Sequence, residues 1–280
     1  MLESSFEMLA ALAQRETGQD LTPSKAYLVD ARLANLVRRE GFASTDDLVS
    51  CLKARPNPVF EAEIAAALLA RTTWFFRERD ALERIVRDVL PARLKATKSG
   101  RLKIWIAGGG TGQEAYSLAL RLVELSGDSG LSGARIDLLS TDISRRMTEQ
   151  ARDGIFGHYD VQRGLSIHRL MTHFQRLETG SWRISEALRN AVSFRVQNLL
   201  DDAAVLGQFD VIFCRHVLSD MASATRVAVA DRLAAQLNPD GVLMLGHGET
   251  LSGTTTAVTP SRVVRGGWQR PEAIARTVAA

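Results

Sequence analysis

The chain has 280 residues, 45% of them hydrophobic, with 35 Lys and Arg against 32 Asp and Glu for a net charge of +3. That allows one large domain or two modest ones with a substantial core, and the charge is too small to imply a nucleic-acid partner. No apolar run approaches membrane-spanning length, and Glu3 and Glu7 take the place of a basic signal region, so a cytoplasmic protein without membrane insertion is expected.

Residues 1–95 read as helical. Phe6, Leu9, Leu12 and Ala13 recur at helical spacing. Leu28, Leu33, Leu36 and Val37 do so in a second segment opened by Pro23, with Thr22 as its expected cap. Ser44 opens a third segment, with Asp47 three residues on. Asn57-Pro58 breaks the chain before a fourth helix, and Pro91 is expected to kink or end a fifth. Residues 71–103 carry ten Lys or Arg against four acids, which suits either an acidic partner or a solvated helix face.

After Gly100 the texture changes. Leu102–Ala107 reads as a buried strand ending in Gly108-Gly109-Gly110-Thr111-Gly112, and a helix follows from Glu114 to Leu125. Arg135–Ser140 is a second strand ending at Thr141-Asp142, with a short helix near Arg145–Arg152. Val192–Val196 and Phe209–Cys214 are further strands. A helix over about 224–237 is expected to stop at the turn Asn238-Pro239-Asp240-Gly241, before a last strand Val242–Gly246. Trp105 is expected in the sheet core and Trp268 on a terminal strand, with 271–280 a frayed or helical tail. Alternating strands and helices define an α/β fold with a mostly parallel, doubly wound sheet, whose ligand sits at the carboxyl ends of the strands. Cys51 and Cys214 read as two buried, unpaired thiols. His158, His168 and His173 lack ligand spacing, so no metal is expected.

The glycine loop carries the chemistry. It follows a strand and opens a helix, where glycines let the backbone approach a ligand closely. Gly108, Gly110 and Gly112 lack the third glycine of a dinucleotide loop, because Gln113 stands there; the spacing fits a nucleoside without pyrophosphate. Asp142, at the tip of the next strand, suits ribose hydroxyls. The plainer alternative is a cap for the helix after Ser144.

Six ordered stretches resemble the chemotaxis receptor methyltransferase family (CheR-type) over about residues 5–270. They are Thr72-Thr73-Trp74-Phe75-Phe76-Arg77, similar to its T-x-F-F-R; Ala107 to Ser117, similar to its cofactor loop; Ser140 to Phe156; Asn198-Leu199-Leu200; Phe209 to Arg215; and Leu245-Gly246-His247-Gly248-Glu249, similar to its L-G-H-S-E. The resemblance implies an N-terminal all-helical domain (1–95) and a Rossmann-like class I methyltransferase domain (96–280), with a small antiparallel β-subdomain inserted at about 154–190. It implies S-adenosylmethionine as methyl donor, S-adenosylhomocysteine as product, and glutamate side chains of methyl-accepting receptors as acceptors.

Carried over by residue, the cofactor contacts are Arg71, Thr73, Arg77, Gly108, Gly110, Gly112, Glu114, Asp142, Asn198, Leu199, Arg215 and His216, with Arg77 and Asp220 as catalytic positions and no metal. The helix bearing Lys25, Arg32, Arg38 and Arg39 is expected to face the receptor's acidic coiled coil. Three departures stand out. Arg71 and His216 replace asparagines, and Asp220 replaces a tyrosine beside the transferred methyl. An inward Asp220 would repel a second carboxylate at about 4 Å by roughly 4 kcal/mol, taking an effective dielectric of about 20. The alternative is therefore an impaired relative that binds the donor as a regulatory module. Only seven residues separate Phe174 from Trp182, so no tight tether to a receptor's C-terminal pentapeptide is expected.

Overall fold

A computed structural model of the chain describes residues 1–69, 72–97, 99–125, 130–131 and 133–271. Arg71 and nearly all of the expected C-terminal tail lie outside the described residues. Helices α1 (Glu3–Thr17), α2 (Ala26–Arg39), α3 (Thr45–Ala54) and α4 (Pro58–Leu68) come first. Their apolar stripes meet in one cluster that includes Leu9 and Leu12 of α1, Val29 and Leu33 of α2, Leu48 of α3 and Ile64 of α4. Ser44 caps α3 by accepting from the Asp47 N–H at 3.1 Å, while the Asp47 carboxylate accepts from the Ala43 N–H at 3.1 Å. Asn57 caps α4, with Pro58 in its first turn. Thr22 caps nothing: its hydroxyl bonds that of Ser24, and a 3-10 turn, Pro23–Lys25, precedes α2.

Helices α5 (Arg79–Arg84) and α6 (Leu90–Ala96) are joined by a π turn, Ile85–Val89. Pro91 has no N–H to offer the preceding turn, so the chain widens before it and continues. Here Ala81, Leu82, Ile85, Val86, Val89 and Leu90 bury against the sheet.

The remaining elements, in order, are β1 (Arg101–Ala107), α7 (Gln113–Glu124), β2 (Arg135–Asp142), α8 (Arg145–Asp153), β3 (Ile155–Phe156), α9 (His158–Gln162), α10 (Ile167–His173), β4 (Phe174–Arg176), β5 (Trp182–Ile184), α11 (Glu186–Asn190), β6 (Val192–Val196), β7 (Phe209–Phe213), α12 (Ser223–Ala235), β8 (Leu237–Met244), β9 (Thr259–Pro260) and β10 (Gly267–Gln269). The main sheet runs β6-β2-β1-β7-β8-β10-β9. Strands β6, β2, β1, β7 and β8 are mutually parallel, and β10 runs antiparallel to both β8 and β9. The strand order reverses beside β1, so β1, β2 and β7 open toward one crevice at their carboxyl ends. Strands β3, β5 and β4 form the small antiparallel sheet of the insertion. Trp105 is 1% exposed and packs on Phe209, its indole N–H donating to Thr141 Oγ1 at 2.9 Å.

Two expectations are corrected. Asn238-Pro239-Asp240-Gly241 does not precede the last parallel strand; it lies inside β8. The register slips between Phe209 and Val211, which pair with Leu237 and Val242. Buried Asp210 anchors this bulge. It accepts from Asn238 Nδ2 at 3.0 Å, from Arg93 at 2.8 Å and from the Lys103 N–H at 2.9 Å. Arg93 is thereby withdrawn from the basic surface. Cys51, expected to be buried, is exposed, whereas Cys214 is buried and its thiol is pushed up by burial.

A charge network ties the insertion to the sheet. Arg169 of α10 donates to both Glu124 oxygens of α7, at 2.6 and 2.9 Å, and Arg121 pairs with Glu124 and Glu83. The bond from Arg169, opposed by burial and supported by Arg121, lowers the Glu124 pKa to about 2. Its folded value lies below the unfolded 4.5. Its contribution to stability is therefore complete above about 4.5 and is lost as pH falls toward about 2. Denaturant midpoints measured from pH 6 down to pH 3 should fall in the wild type. In Glu124→Gln they should start lower and fall less; an equal fall would remove Glu124 as a source.

Candidate active site

The tips of β1, β2 and β7 enclose a cavity of about 310 Å³, the size of a small-ligand pocket. The glycine turn forms its floor. Gly108 and Gly109 both donate to the Thr141 carbonyl at 2.9 Å, which folds the turn over the end of β2. A Cβ on Gly109 would lie 2.1 Å from Ser140 Oγ, so a larger residue there would push the Ser140 hydroxyl aside. Gly110 is left-handed at φ 56°, and this aims its N–H at Asp142.

Asp142 turns toward that loop. Its Oδ2 accepts from the Gly110 N–H at 2.9 Å and its Oδ1 from the Ser144 N–H at 2.8 Å. Ser144 itself caps α8, accepting from the Met147 N–H at 3.4 Å. The acid thus bridges the glycine turn and the start of α8 at the cavity wall, 8% exposed. The cap reading and the nucleoside reading describe the same carboxylate.

A charged cluster also borders the cavity. Arg215, at the end of β7, reaches Glu114 of α7, Glu78 at 2.8 Å and the Arg77 carbonyl at 2.9 Å. Glu78 also receives His216 Nε2 at 2.5 Å and the His247 N–H at 3.0 Å. Burial works to raise the Glu78 pKa, but Arg215 and His216 hold it down at about 2. The Glu249 carboxylate accepts from the N–H groups of His216 at 2.6 Å and Gly246 at 2.8 Å. Phe76, Glu78 and His216 all have positive φ without being glycine. Such strain costs about 1–3 kcal/mol per residue and persists where surroundings enforce it; here the cluster enforces it.

Most of the residues singled out in the sequence converge. Thr73, Arg77, Gly108, Gly110, Glu114, Asp142, Asn198, Leu199, Arg215, His216 and Asp220 line the cavity. Gly112 does not line it and instead starts α7 at φ 92°. The Asn198 side chain also donates to the Glu16 carbonyl at 2.7 Å and accepts from the Leu200 N–H at 3.0 Å. Arg77 is half-buried, donates to the Thr72 carbonyl and lies 4.5 Å from the Trp74 ring centre. Burial lowers its pKa, and nearby Arg215 and Arg163 act the same way.

The sequence reading missed Glu78, Gly109, Thr17 and Gln19. The last two reach the cavity because the α1–α2 loop is strapped to the segment after β7. Asp20 N–H donates to the Asp220 carbonyl, and Ala222 N–H to the Gly18 carbonyl, each at 2.9 Å. No local pattern signals such a contact between distant segments.

A glycine turn facing a strand-tip acid, on a parallel sheet closed by one reversed strand, defines a class I S-adenosylmethionine-dependent methyltransferase. The chain belongs to the CheR methyltransferase family: the family's SAM-binding domain matches residues 71–265, and its all-alpha domain matches residues 4–68. It is similar to chemotaxis protein methyltransferase 1 of Pseudomonas aeruginosa, 34% identical over 250 residues, covering 89% of this chain and 91% of that one. It is also similar to the chemotaxis protein methyltransferases Cher2 of Pseudomonas putida (31% identical, 89% and 90% covered) and of Vibrio parahaemolyticus (32% identical, 90% and 91% covered). These relatives do not favour the alternative of a binding module without transfer. Among the described residues, no helix is long and apolar enough to cross a membrane.

Proposed function

We propose that the chain transfers the methyl group of S-adenosylmethionine to glutamate side chains of chemotaxis receptors, forming glutamate methyl esters. The observation that carries this is a single cavity lined both by Asp142, which faces the glycine turn, and by Arg77. The residues present fit an adenosyl group. Gly109 lets the turn lie close against Ser140 and Ile106, and the turn's backbone borders the cavity. Asp142 suits the ribose, and Ile143, Met147 and Leu199 supply apolar lining for a purine. Bound there, S-adenosylmethionine supplies an electrophilic methyl on a positively charged sulfur.

The protein's part is placement. The acceptor carboxylate has a pKa of about 4.3 and is already ionised at neutral pH, so no side chain has to remove a proton. Arg77 presents a planar fork that grips a carboxylate in one orientation. Correct alignment can be worth roughly 7–11 kcal/mol. The test is direct: incubate the protein with radiolabelled donor and receptor-bearing membranes. Base-labile label on the receptor is expected, and its absence would sink the proposal.

Asp220 lines the cavity, and among the described residues its carboxylate has no hydrogen-bond or ion-pair partner. It opposes an incoming carboxylate. Asp220→Tyr should raise kcat/KM for receptor by roughly tenfold, the effect of a repulsion that solvent in the open cavity screens to about 1.4 kcal/mol. An unchanged rate would show that this side chain does not impair transfer.

The receptor-facing surface is proposed on and before α2. Arg38 is exposed and Lys25 half-buried, but Arg32 is held by the Leu68 carbonyl at 2.6 Å and Arg39 pairs with Glu40 and Glu63. The β4–β5 connection is a tight turn closed by Leu177 N–H to the Ser181 carbonyl at 2.8 Å. Titration with a receptor C-terminal pentapeptide should therefore show no micromolar binding.

A further inference from the structure

Trp74 is shared by two arginines. Beside Arg77, the Arg163 guanidinium carbon lies 3.6 Å from the ring centre. Arg163 comes from the inserted subdomain, immediately after α9. Its neighbour fixes where it stands: Gly164, at φ 90°, packs so tightly that a Cβ there would lie 1.7 Å from the Phe75 carbonyl oxygen. The insertion thus clamps the segment that leads into Arg77.

The two cations differ in what they can do. Arg77 lines the cavity, whereas Arg163 is exposed outside it. Among the described residues Arg163 has no hydrogen bond or ion pair, only the indole. Stacking on a ring orders a guanidinium while leaving its N–H edge free for a carboxylate. Glu78 lies 4.0 Å from Arg77 but is shared with Arg215 and His216, and among the described residues Arg163 has no acidic partner. The Arg77 site, next to the donor, holds one carboxylate, and Arg163 is placed for another. Both guanidinium carbons lie within 4.5 Å of one ring centre. The two carbons are therefore no more than about 8 Å apart, a span within reach of two long side chains one helical turn apart, whose Cβ atoms are about 5–6 Å from each other.

Resting on the function proposed above, we infer that Arg163 is a specificity-determining residue that binds a second carboxylate on the acceptor segment, one helical turn from the glutamate to be methylated. Arg163 thereby selects among glutamates that Arg77 alone would accept equally.

The test uses the full chain loaded with S-adenosylhomocysteine and two fluorescein-labelled helical peptides. One carries a single glutamate; the other adds a second glutamate one turn away in place of glutamine. Anisotropy should show the doubly acidic peptide bound about fivefold more tightly, the upper range for an exposed ion pair, with the preference fading at high salt. Arg163→Gln should abolish the preference and leave binding of the singly acidic peptide unchanged. Arg163→Lys should keep part of it, and Arg163→Glu should favour a peptide with lysine at the second position. Equal binding of both peptides by the wild type would overturn the inference, as would equal weakening of both by Arg163→Gln, which would mark a merely structural role. Methyl transfer to the same peptides is the separate readout. If neither is methylated while the binding preference holds, the proposed reaction fails and the role of Arg163 stands.

Discussion

Asp142→Ala is expected to weaken S-adenosylhomocysteine binding about 100-fold. Hydrogen bonds to a charged partner contribute about 1.5–3 kcal/mol each. A carboxylate holding two ribose hydroxyls supplies about 3 kcal/mol after partial compensation by water, and 1.4 kcal/mol is a factor of ten. The substitution also frees the N–H groups of Gly110 and Ser144, which now meet at the two oxygens of Asp142. Gly110 borders the cavity and Ser144 is only half-buried, so both N–H groups can be rehydrated and the cost to folding should be small, a shift of about 2–4 °C in Tm. Asp142→Asn is the sharper control. An amide oxygen still accepts from one N–H, but the charge is gone, and an intermediate loss of about tenfold is expected. Calorimetry reads both variants. An affinity within threefold of wild type would mean that Asp142 is a staple between the turn and α8 and nothing more.

Arg77→Ala should reduce kcat/KM for receptor methylation by about 100-fold, the loss of a bidentate, charge-assisted pair with the acceptor. The variant is clean for a structural reason. Arg215 is held by the Arg77 carbonyl, not by its side chain, so the cluster of Arg215, Glu78 and Glu114 keeps its backbone anchor. Arg77→Lys keeps the charge but loses the fork, and should recover only a small part of the rate. Binding of S-adenosylhomocysteine should change far less than transfer. Comparable losses in both would move Arg77 from acceptor to cofactor.

How much of this was legible beforehand depended on how local the cause was. The glycine turn, the acid at the tip of β2 and the helix caps at Ser44 and Asn57 are short-range patterns, and the sequence carries them openly. The turn expected at Asn238–Gly241 failed because its geometry is set from a distance: Asp210, on the neighbouring strand, takes the Asn238 side chain and lets β8 run through as a bulge. Pro91 is expected to kink or end its helix; the helix does not end but takes it up in a π turn whose apolar residues are held by the sheet. Glu78 stood one residue past a recognisable motif and was overlooked. What makes it central is Arg215 and His216, which arrive from more than a hundred residues away. Asn198, expected at the cofactor, lines the cavity, and its amide also secures α1.

That last bond, with the strap between Gly18–Asp20 and Asp220–Ala222, bears on how such chains can diversify. The helical bundle supplies part of the pocket wall through Thr17 and Gln19. Exchanging the bundle with that of a relative would change the surface proposed to face the receptor and the cavity wall together. New receptor preferences are therefore more freely acquired by residues such as Arg163, which lie outside the shared wall, than by trading whole modules.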